Sequence, residues 1–376
     1  MLTISQAFVA LVIFLLVVQF LKLRKACQQL PPGPTPLPLL GNLVHLNFQF
    51  HRDLLMEVFL FRYSKLVNFT DSLNETDILV EKQNVSGRMV SPFFREISSG
   101  IILASGHSWK QQRRFGIMTL RNLGMGKKGL EYRVQEEASH LVQFFVNLKG
   151  RPVDPSFPLI HSISNIICAL VFGYHFSDED KTFHELISVT ENLFKFLYEI
   201  FPWLMCHLPG PHKKALSCYD VLSSFARKEI RRHMERGIPD EPQDFIDFYL
   251  AEMEKSKDGP TPKYDEDNLV CVINDLFLGG SETSSTTLYW GLLYMVVNPD
   301  IQEKVQKELD AVLGPSQLIC YEDRRKLPYT NAVVHEIQRF SNIVFVGMPR
   351  LCVRNTTLLG FPLKKVQKHF QPLLFL

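Results

Sequence analysis

The chain has 376 residues, 46% hydrophobic and 21% charged, and 41 Lys and Arg against 39 Asp and Glu give a net charge of +2. That composition excludes a disordered, collagenous or low-complexity chain, and it leaves no overall field that would make a nucleic-acid backbone the default partner. The 29 Phe point to a bulky apolar interior in one large domain or two, and seven cysteines without a CxxC read as reduced intracellular thiols.

Residues 1–21 (MLTISQAFVALVIFLLVVQFL) carry no charged side chain. As a helix they reach about 30 Å, one hydrocarbon thickness. Lys22, Arg24 and Lys25 follow the apolar run instead of preceding it, so a retained anchor is expected rather than a cleaved signal peptide. The positive-inside rule then puts the N-terminus in the lumen and the body in the cytoplasm. Asn-x-Ser/Thr triplets at Asn68, Asn74, Asn84 and Asn355 suggest the competing, secreted reading; under the anchored topology they go unused. Residues 22–42 form a basic flank and a proline-rich linker, Leu30-Pro31-Pro32-Gly33-Pro34-Thr35-Pro36-Leu37-Pro38. Its prolines fix φ and remove donors, which makes a stiff spacer; they also match a PxxP ligand, but the place directly behind an anchor favours the spacer.

The body is mainly α. Leu130, Val134, Ala138, Leu141 and Phe145 keep helical spacing, as do Ile160, Ile163, Ile167 and Val171. Strand signals are short, Val344-Phe345-Val346 and Thr357-Leu358-Leu359, so a small β portion is expected near the C-terminus. Gly150, Pro152, Pro155, Gly210, Pro211, Gly259, Pro260 and Pro262 punctuate the helical blocks.

After the loop KSKDGPTPK, with Asp265 or Asp267 as cap, a helix is expected from Asp267 to Val297, about 45 Å long. It is apolar on most sides and should be buried, yet its middle reads Gly279-Gly280-Ser281-Glu282-Thr283-Ser284-Ser285. Two mid-helix glycines cost about 1 kcal/mol each. A buried Glu adds desolvation. Either this is a site, where glycines admit something flat and an acid and hydroxyl pass protons, or it is a helix crossing built from small residues. Residue chemistry alone leaves both open.

Other motifs fail. Gly124-Met125-Gly126-Lys127-Lys128-Gly129 matches GxGxxG but follows a helical stretch, with Lys149 where the ribose-binding acid belongs. His335-Glu336 and His184-Glu185 do not continue to a second zinc-protease His, and GxSxG is absent. Glu336-Ile337-Gln338-Arg339 puts an acid and an Arg on one helix face, but ExxR recurs at Glu229 and Glu322, so only context gives it meaning.

Order supplies that context: anchor, proline linker, Trp109-Lys110-Gln111-Gln112-Arg113-Arg114, the GGSETSS helix, Glu336 to Arg339, then Pro349-Arg350. This set resembles the cytochrome P-450 superfamily, in particular a microsomal family-two member of the J subfamily. The resemblance runs from Met1 to about Phe361 and includes lid-like Phe201-Pro202-Trp203-Leu204-Met205 and Leu208-Pro209-Gly210-Pro211-His212.

It implies a mainly α fold with a small sheet and, over residues 43–363, a partial catalytic domain that binds haem. The implied activity is monooxygenation of lipophilic fatty acids, steroids or xenobiotics, with electrons from NADPH through a separate flavoprotein reductase, at the endoplasmic reticulum membrane. By the same resemblance Trp109 and Arg113 bond a haem propionate, with Arg88 and Arg350 also toward the cofactor. Gly279 and Gly280 cover its distal face, and Glu282 and Thr283 relay protons. Glu336 and Arg339 form a buried structural pair, and Arg114, Lys127 and Lys128 face an acidic reductase.

The family places its thiolate ligand in F-x-x-G-x-x-x-C-x-G, and none of the seven cysteines here follows a Gly at the fourth preceding position. The expected metal ligand therefore lies outside these residues, the C-terminal part of the fold is expected to be missing, and residues 364–376 are read as a divergent tail. Between Tyr63 and Arg88 the stretch is also shorter than the family's first hairpin region. The alternative to the enzyme is an inactive truncated isoform that binds the reductase or relatives at the membrane, or is degraded. A third reading, an unrelated anchored helical scaffold, makes the ordered motifs coincidental.

Overall fold

In a computed structural model the described residues are 99–125, 128–177, 179–194, 211–256, 264–314 and 318–341, with positions 14, 17, 18, 21 and 343 and short segments at 87–88, 350–351, 354–358, 361–363 and 368–369. The chain divides into two compact units. One is formed by residues 1–87 with 349–369, the other by residues 88–348 with 370–376.

In the first unit the described parts are brief. Phe14, Val17, Val18 and Leu21 are helical. The rest of the expected anchor lies outside the described residues, among which no helix is long and apolar enough to cross a membrane. A two-residue strand β1 (Gly87–Arg88) spans the boundary between units in sequence. Strands β2 (Arg350–Leu351) and β5 (Lys368–His369) pair antiparallel, Arg350 opposite His369. Between them in sequence, β3 (Thr356–Leu358) and β4 (Phe361–Leu363) form an antiparallel hairpin with Leu358 opposite Phe361. The hairpin's first strand begins one residue before the expected Thr357; the other strand signal, 344–346, lies outside the described residues.

The second unit is helical: α1 (Gly106–Asn122), α2 (Lys128–Asn147), α3 (Ser156–Val171), α4 (Lys181–Phe194), α5 (Pro211–Arg236), α6 (Phe245–Ser256), α7 (Glu266–Val297), α8 (Pro299–Val312), a 3-10 turn (Tyr321–Arg325) and α9 (Pro328–Ser341). Local chemistry sets the boundaries. Asp180 Oδ1 accepts from the N–H groups of Thr182 (2.8 Å) and Phe183 (3.1 Å) to start α4. Asp244 caps α6 through the Asp247 N–H (2.9 Å). Asp265, extended at φ −142°, caps α7 through the Asn268 N–H at 2.7 Å, which resolves the choice between Asp265 and Asp267. The Gly124-to-Gly129 motif joins two helices, α1 and α2, and so has no strand before it.

The core lies where the first half of α7 packs among α3 and α5. Leu269, Val270, Val272, Ile273 and Phe277 are buried there with Ile160, Cys168 and Val171 of α3 and Leu222, Ala226 and Ile230 of α5. Aromatic rings complete it: Phe176 and Phe183 stack at 4.6 Å, and Phe115 meets the Tyr249 edge at 5.3 Å. Truncating such a ring to Ala costs about 3–5 kcal/mol.

The stripe through Leu130, Val134, Ala138, Leu141 and Phe145 forms a helix, as its spacing predicts, with Leu130, Leu141 and Phe145 half-buried while Val134 is 42% exposed and Ala138 faces solvent. Arg133, which donates to the Ala169 carbonyl, and Glu137, which bonds His175 Nδ1 at 3.1 Å, also turn inward. Partners from α3 and the loop after it hold this polar pair, which apolar periodicity does not register. One expectation needs correction: α7 is buried along its first half and at Ser285, but Leu288, Leu292, Val296 and Val297 are exposed.

Candidate functional site

Helix α1 begins at Gly106, so Trp109 and Arg113, four apart, share a face. The structure brings them together: the Arg113 guanidinium carbon lies 5.7 Å from the Trp109 ring centroid. Trp109 Nε1 is buried and has no hydrogen-bond partner among the described residues. Beside it opens a cavity of about 560 Å³ lined by Lys110, Arg113, Arg114, Arg121, Ile117 and Met118, with Trp109 and Asn122. Lys110 and Arg121 were not singled out from sequence. Their i, i+4 spacing around the Trp, Lys110 with Arg114 and Ile117 with Arg121, is the signal that marks a basic helix face.

On α7 the helix runs unbroken through Gly279 and Gly280. Thr283 Oγ1 donates to the Gly279 carbonyl at 2.7 Å, Thr287 Oγ1 to the Thr283 carbonyl at 2.8 Å, and Ser285 Oγ to the Glu282 carbonyl at 3.1 Å. These bonds hold the hydroxyl protons inside the helix and leave oxygen lone pairs to accept from elsewhere. Glu282 is half-buried. The two glycines differ. A Cβ on Gly280 would lie 2.6 Å from Ile167 Cδ1, so this glycine exists for the crossing with α3. Among the described residues, a Cβ on Gly279 would meet only Ile102 Cδ1, at 3.8 Å. The helix-crossing and ligand-approach readings are therefore divided between neighbouring residues.

The α7 residues do not line the cavity beside Trp109. What links the two sets is the segment 99–105, which leads into α1 while lying on α7. Asp275 Oδ2, one turn before Gly279, accepts from the N–H groups of Ile101 (2.6 Å) and Ile102 (2.9 Å). Desolvation pushes the Asp275 carboxyl up to about 6 even though these two donors pull the other way. An acid inside an apolar helical run, VINDLFLGG, is the sequence signal that would have found it.

Glu336 and Arg339 do pair, with Arg339 Nε donating at 2.8 Å and Nη2 at 2.6 Å to the two carboxylate oxygens. The expectation of a buried pair is corrected: the side chains are 60% and 54% exposed. Helix α9 meets α7 instead through Ile337 beside Gly291 and Phe340 against the Tyr294 ring, which leaves the ion pair on the other side. Arg339 bonding lowers the Glu336 carboxyl. Arg114 is exposed. Arg88 and Arg350 lie in two-residue strands, and their side chains, like those of Lys127 and Lys128, fall outside the described residues, as does most of the lid-like stretch Leu193 to His212.

A second buried polar cluster went unread in the sequence. His233, at the end of α5, bonds the Glu229 carbonyl through Nδ1 (2.7 Å) and Asp244 through Nε2 (2.9 Å). Asp247 takes Arg236 Nη2 at 2.6 Å. Burial works against the His233 charge, but the Asp244 bond, the Glu229 carbonyl and the Asp244 charge outweigh it and raise its pKa. His233, Asp244 and Asp247 have ligand atoms within 4.8 Å of one another. Each already has a protein partner, so the cluster is a closed network joining α5 to α6 rather than an open metal site.

The family model described as cytochrome P450 matches residues 31–368. Human cytochrome P450 2J2 is 41% identical over 374 residues, covering 94% of this chain and 74% of that protein. Rat cytochrome P450 2J3 is 40% identical, over 95% of this chain and 74% of its own length. Mouse cytochrome P450 2A5 is 38% identical, over 97% and 78%.

Proposed function

This chain belongs to the cytochrome P450 family, whose members are haem-dependent monooxygenases, and we propose that it serves the insertion of one oxygen atom into a lipophilic small molecule. The substrate class is a fatty acid, steroid or xenobiotic, and the electrons come from NADPH through a separate flavoprotein reductase. The observation that carries this reading is the buried, unpartnered Trp109 Nε1 beside Arg113 on a cationic groove. An indole N–H withheld from water without an acceptor is costly, and a carboxylate seated between Trp109 and Arg113 removes that cost.

Haem is a flat apolar body with two carboxylates. The groove offers Lys110, Arg113, Arg114 and Arg121 for the charge and Ile117 and Met118 for the apolar contact, so these residues fit it. When bound, haem supplies the redox chemistry that activates oxygen. Gly279 leaves the α7 backbone open to a large ligand. Thr283 Oγ1, its proton committed to the Gly279 carbonyl, orients a hydroxyl or water through its lone pairs, and the Glu282 carboxylate exchanges protons with solvent. Arg88 and Arg350 are assigned to the cofactor by resemblance. Glu336 and Arg339 pair on the exposed side of α9. Residues 1–21 anchor the chain in the endoplasmic reticulum membrane with its body on the cytoplasmic side.

Expression of the whole chain in haem-supplemented cells, followed by the ferrous carbon monoxide difference spectrum, tests this reading. A red-shifted Soret band supports it, with W109F plus R113A lowering retained haem by about tenfold or more. Purification without haem sinks it.

One observation favours a second reading, a membrane-bound binder of the reductase without turnover. Among the described cysteines Cys168, Cys218 and Cys271 are buried and Cys320 is half-buried. Desolvation raises the Cys168 thiol well above its ordinary range and the Cys271 thiol to about 11, so neither offers a thiolate. Bound haem lacking the thiolate band, together with capture of the reductase, supports it.

A further inference from the structure

At the C-terminal end of α5 a cavity of about 350 Å³ opens between that helix, the turn after α3 and the start of α6. It shares no lining residue with the groove beside Trp109. Its wall is made of paired charges layered by depth. The acids lie underneath: the Glu229 side chain is 5% exposed, and those of Asp244 and Asp247 are 1% exposed. The cations lie on top, with Arg232 and Arg236 each 53% exposed. Arg232 Nη2 stands 2.8 Å from Glu229 Oε2, and Arg236 Nη2 stands 2.6 Å from Asp247 Oδ1. Both ion pairs engage Nη2, whereas a guanidinium carries five N–H donors.

Neighbouring contacts hold the two forks in place. The Arg232 guanidinium carbon lies 4.6 Å from the Tyr174 ring centroid. Tyr174 follows Gly173, which sits at φ +78° where a Cβ would lie 2.8 Å from Asp244 Oδ2, so the turn packs directly on that buried acid. Asp244 also bonds His233 Nε2 at 2.9 Å and caps α6. Four residues apart on α5, Arg232 and Arg236 share a face and line the cavity together with Tyr174 and Gln243. Side chains already ordered by buried carboxylates lose little further rotamer freedom when a ligand arrives. The buried acids cancel most of the charge at a distance, so the wall selects by short-range donor geometry rather than by a long-range field.

We propose that this cavity binds the phosphate group of a small phosphate monoester, its oxygens accepting from the remaining N–H groups of Arg232 and Arg236 across one turn of α5. A carboxylate is filled by one planar fork, while the three terminal oxygens of a phosphate monoester can engage two. The volume lies at the lower end for small-molecule sites, which suits a compact ester. The site is separate from the haem reading and stands or falls without it.

Calorimetric titration of the whole chain in detergent with glycerol 3-phosphate tests the proposal, with inorganic phosphate, glycerol and sodium chloride at matched ionic strength alongside. Glycerol 3-phosphate should bind saturably with a dissociation constant of about 1 mM or tighter. Absence of saturation by about 10 mM, or an equal response to chloride or glycerol, overturns the site. Binding of inorganic phosphate without binding of the ester overturns the ester assignment. The double variant R232K plus R236K keeps a cation over each buried acid but replaces each fork by a point charge, and should weaken binding by about tenfold or more. Q243E adds a carboxylate on an exposed lining residue and should weaken binding by about threefold or more, which decides the matter if the double variant does not fold. Wild-type affinity in a folded R232K plus R236K protein or in Q243E places the phosphate elsewhere and overturns the proposal.

Discussion

Gly100 and Asp275 fit together only because one has no side chain: a Cβ at position 100 would stand 2.5 Å from Asp275 Oδ2, in a backbone conformation of φ +81°. G100A therefore meets two penalties, left-handed strain and overpacking, and should lower stability by about 2–4 kcal/mol. Chemical denaturation of the two proteins measures it. A loss below about 0.5 kcal/mol would show that the segment yields easily.

The Asp275 carboxyl is pushed up to about 6 from an ordinary 3.8, mainly by desolvation. The groups facing it are the Ile101 and Ile102 N–H donors, the Tyr219 hydroxyl of α5 and the Cys271 thiol of α7, and no cation pairs with it among the described residues. Its folded value exceeds its unfolded value, so between about pH 4 and 6 the native state holds the extra proton and its contribution to stability falls as pH rises. Its full cost, about 2–3 kcal/mol, is present at pH 7. D275N should abolish this part of the pH profile and be the more stable protein at pH 7. Equal slopes for the two proteins over that window would refute the assignment.

His233 has the same sign of pH dependence, but through a charge that is favoured in the folded state instead of one that is penalised. Its charge is favoured in the folded state by Asp244 and the Glu229 carbonyl, so its contribution is fully present below the ordinary value of 6.5 and is lost as pH climbs through the raised folded value. D244A removes the Nε2 partner of a buried imidazole and the α6 cap, for a loss of about 3–5 kcal/mol near pH 6. Urea midpoints of wild type and D244A at pH 6 and pH 9 should converge as pH rises; a constant gap would mean that the cap alone is responsible.

The two glycines of α7 should respond differently to alanine. G280A collides with Ile167 at the α3 crossing and should cost about 1–2 kcal/mol after its gain in helix propensity. G279A meets ordinary contact and should be neutral or stabilising by up to about 1 kcal/mol, while impairing binding of dansyl-labelled undecanoic acid, a fluorescent lipophilic probe. Thermal melts combined with the binding measurement separate these outcomes.

The exposed Glu336 and Arg339 pair should contribute little. E336A is expected to leave the unfolding midpoint within error, with any residual effect disappearing in about 1 M salt. A large loss would mean that the pair is covered in solution by another part of the protein.

Much of this was written locally. Helix α7 follows from an apolar run behind an acid cap, and the Trp109 and Arg113 face follows from a spacing of four, because helix geometry depends only on near neighbours in sequence. Composition and motif order were enough to reach the family that the comparisons show. Whether Gly279 or Gly280 was the crossing point depended on where Ile167 and Ile102 come to rest, and no spacing within α7 contains that. Likewise Glu137 and Arg133 face inward because His175 and the Ala169 carbonyl meet them, and Asp275 acquires its role from amides 173 and 174 residues away in the chain. Periodicity and capping are settled by interactions within a few turns. The cost of burying a charge or a glycine's missing Cβ is settled by whichever distant atoms packing brings against it, and that was decided only by the tertiary structure.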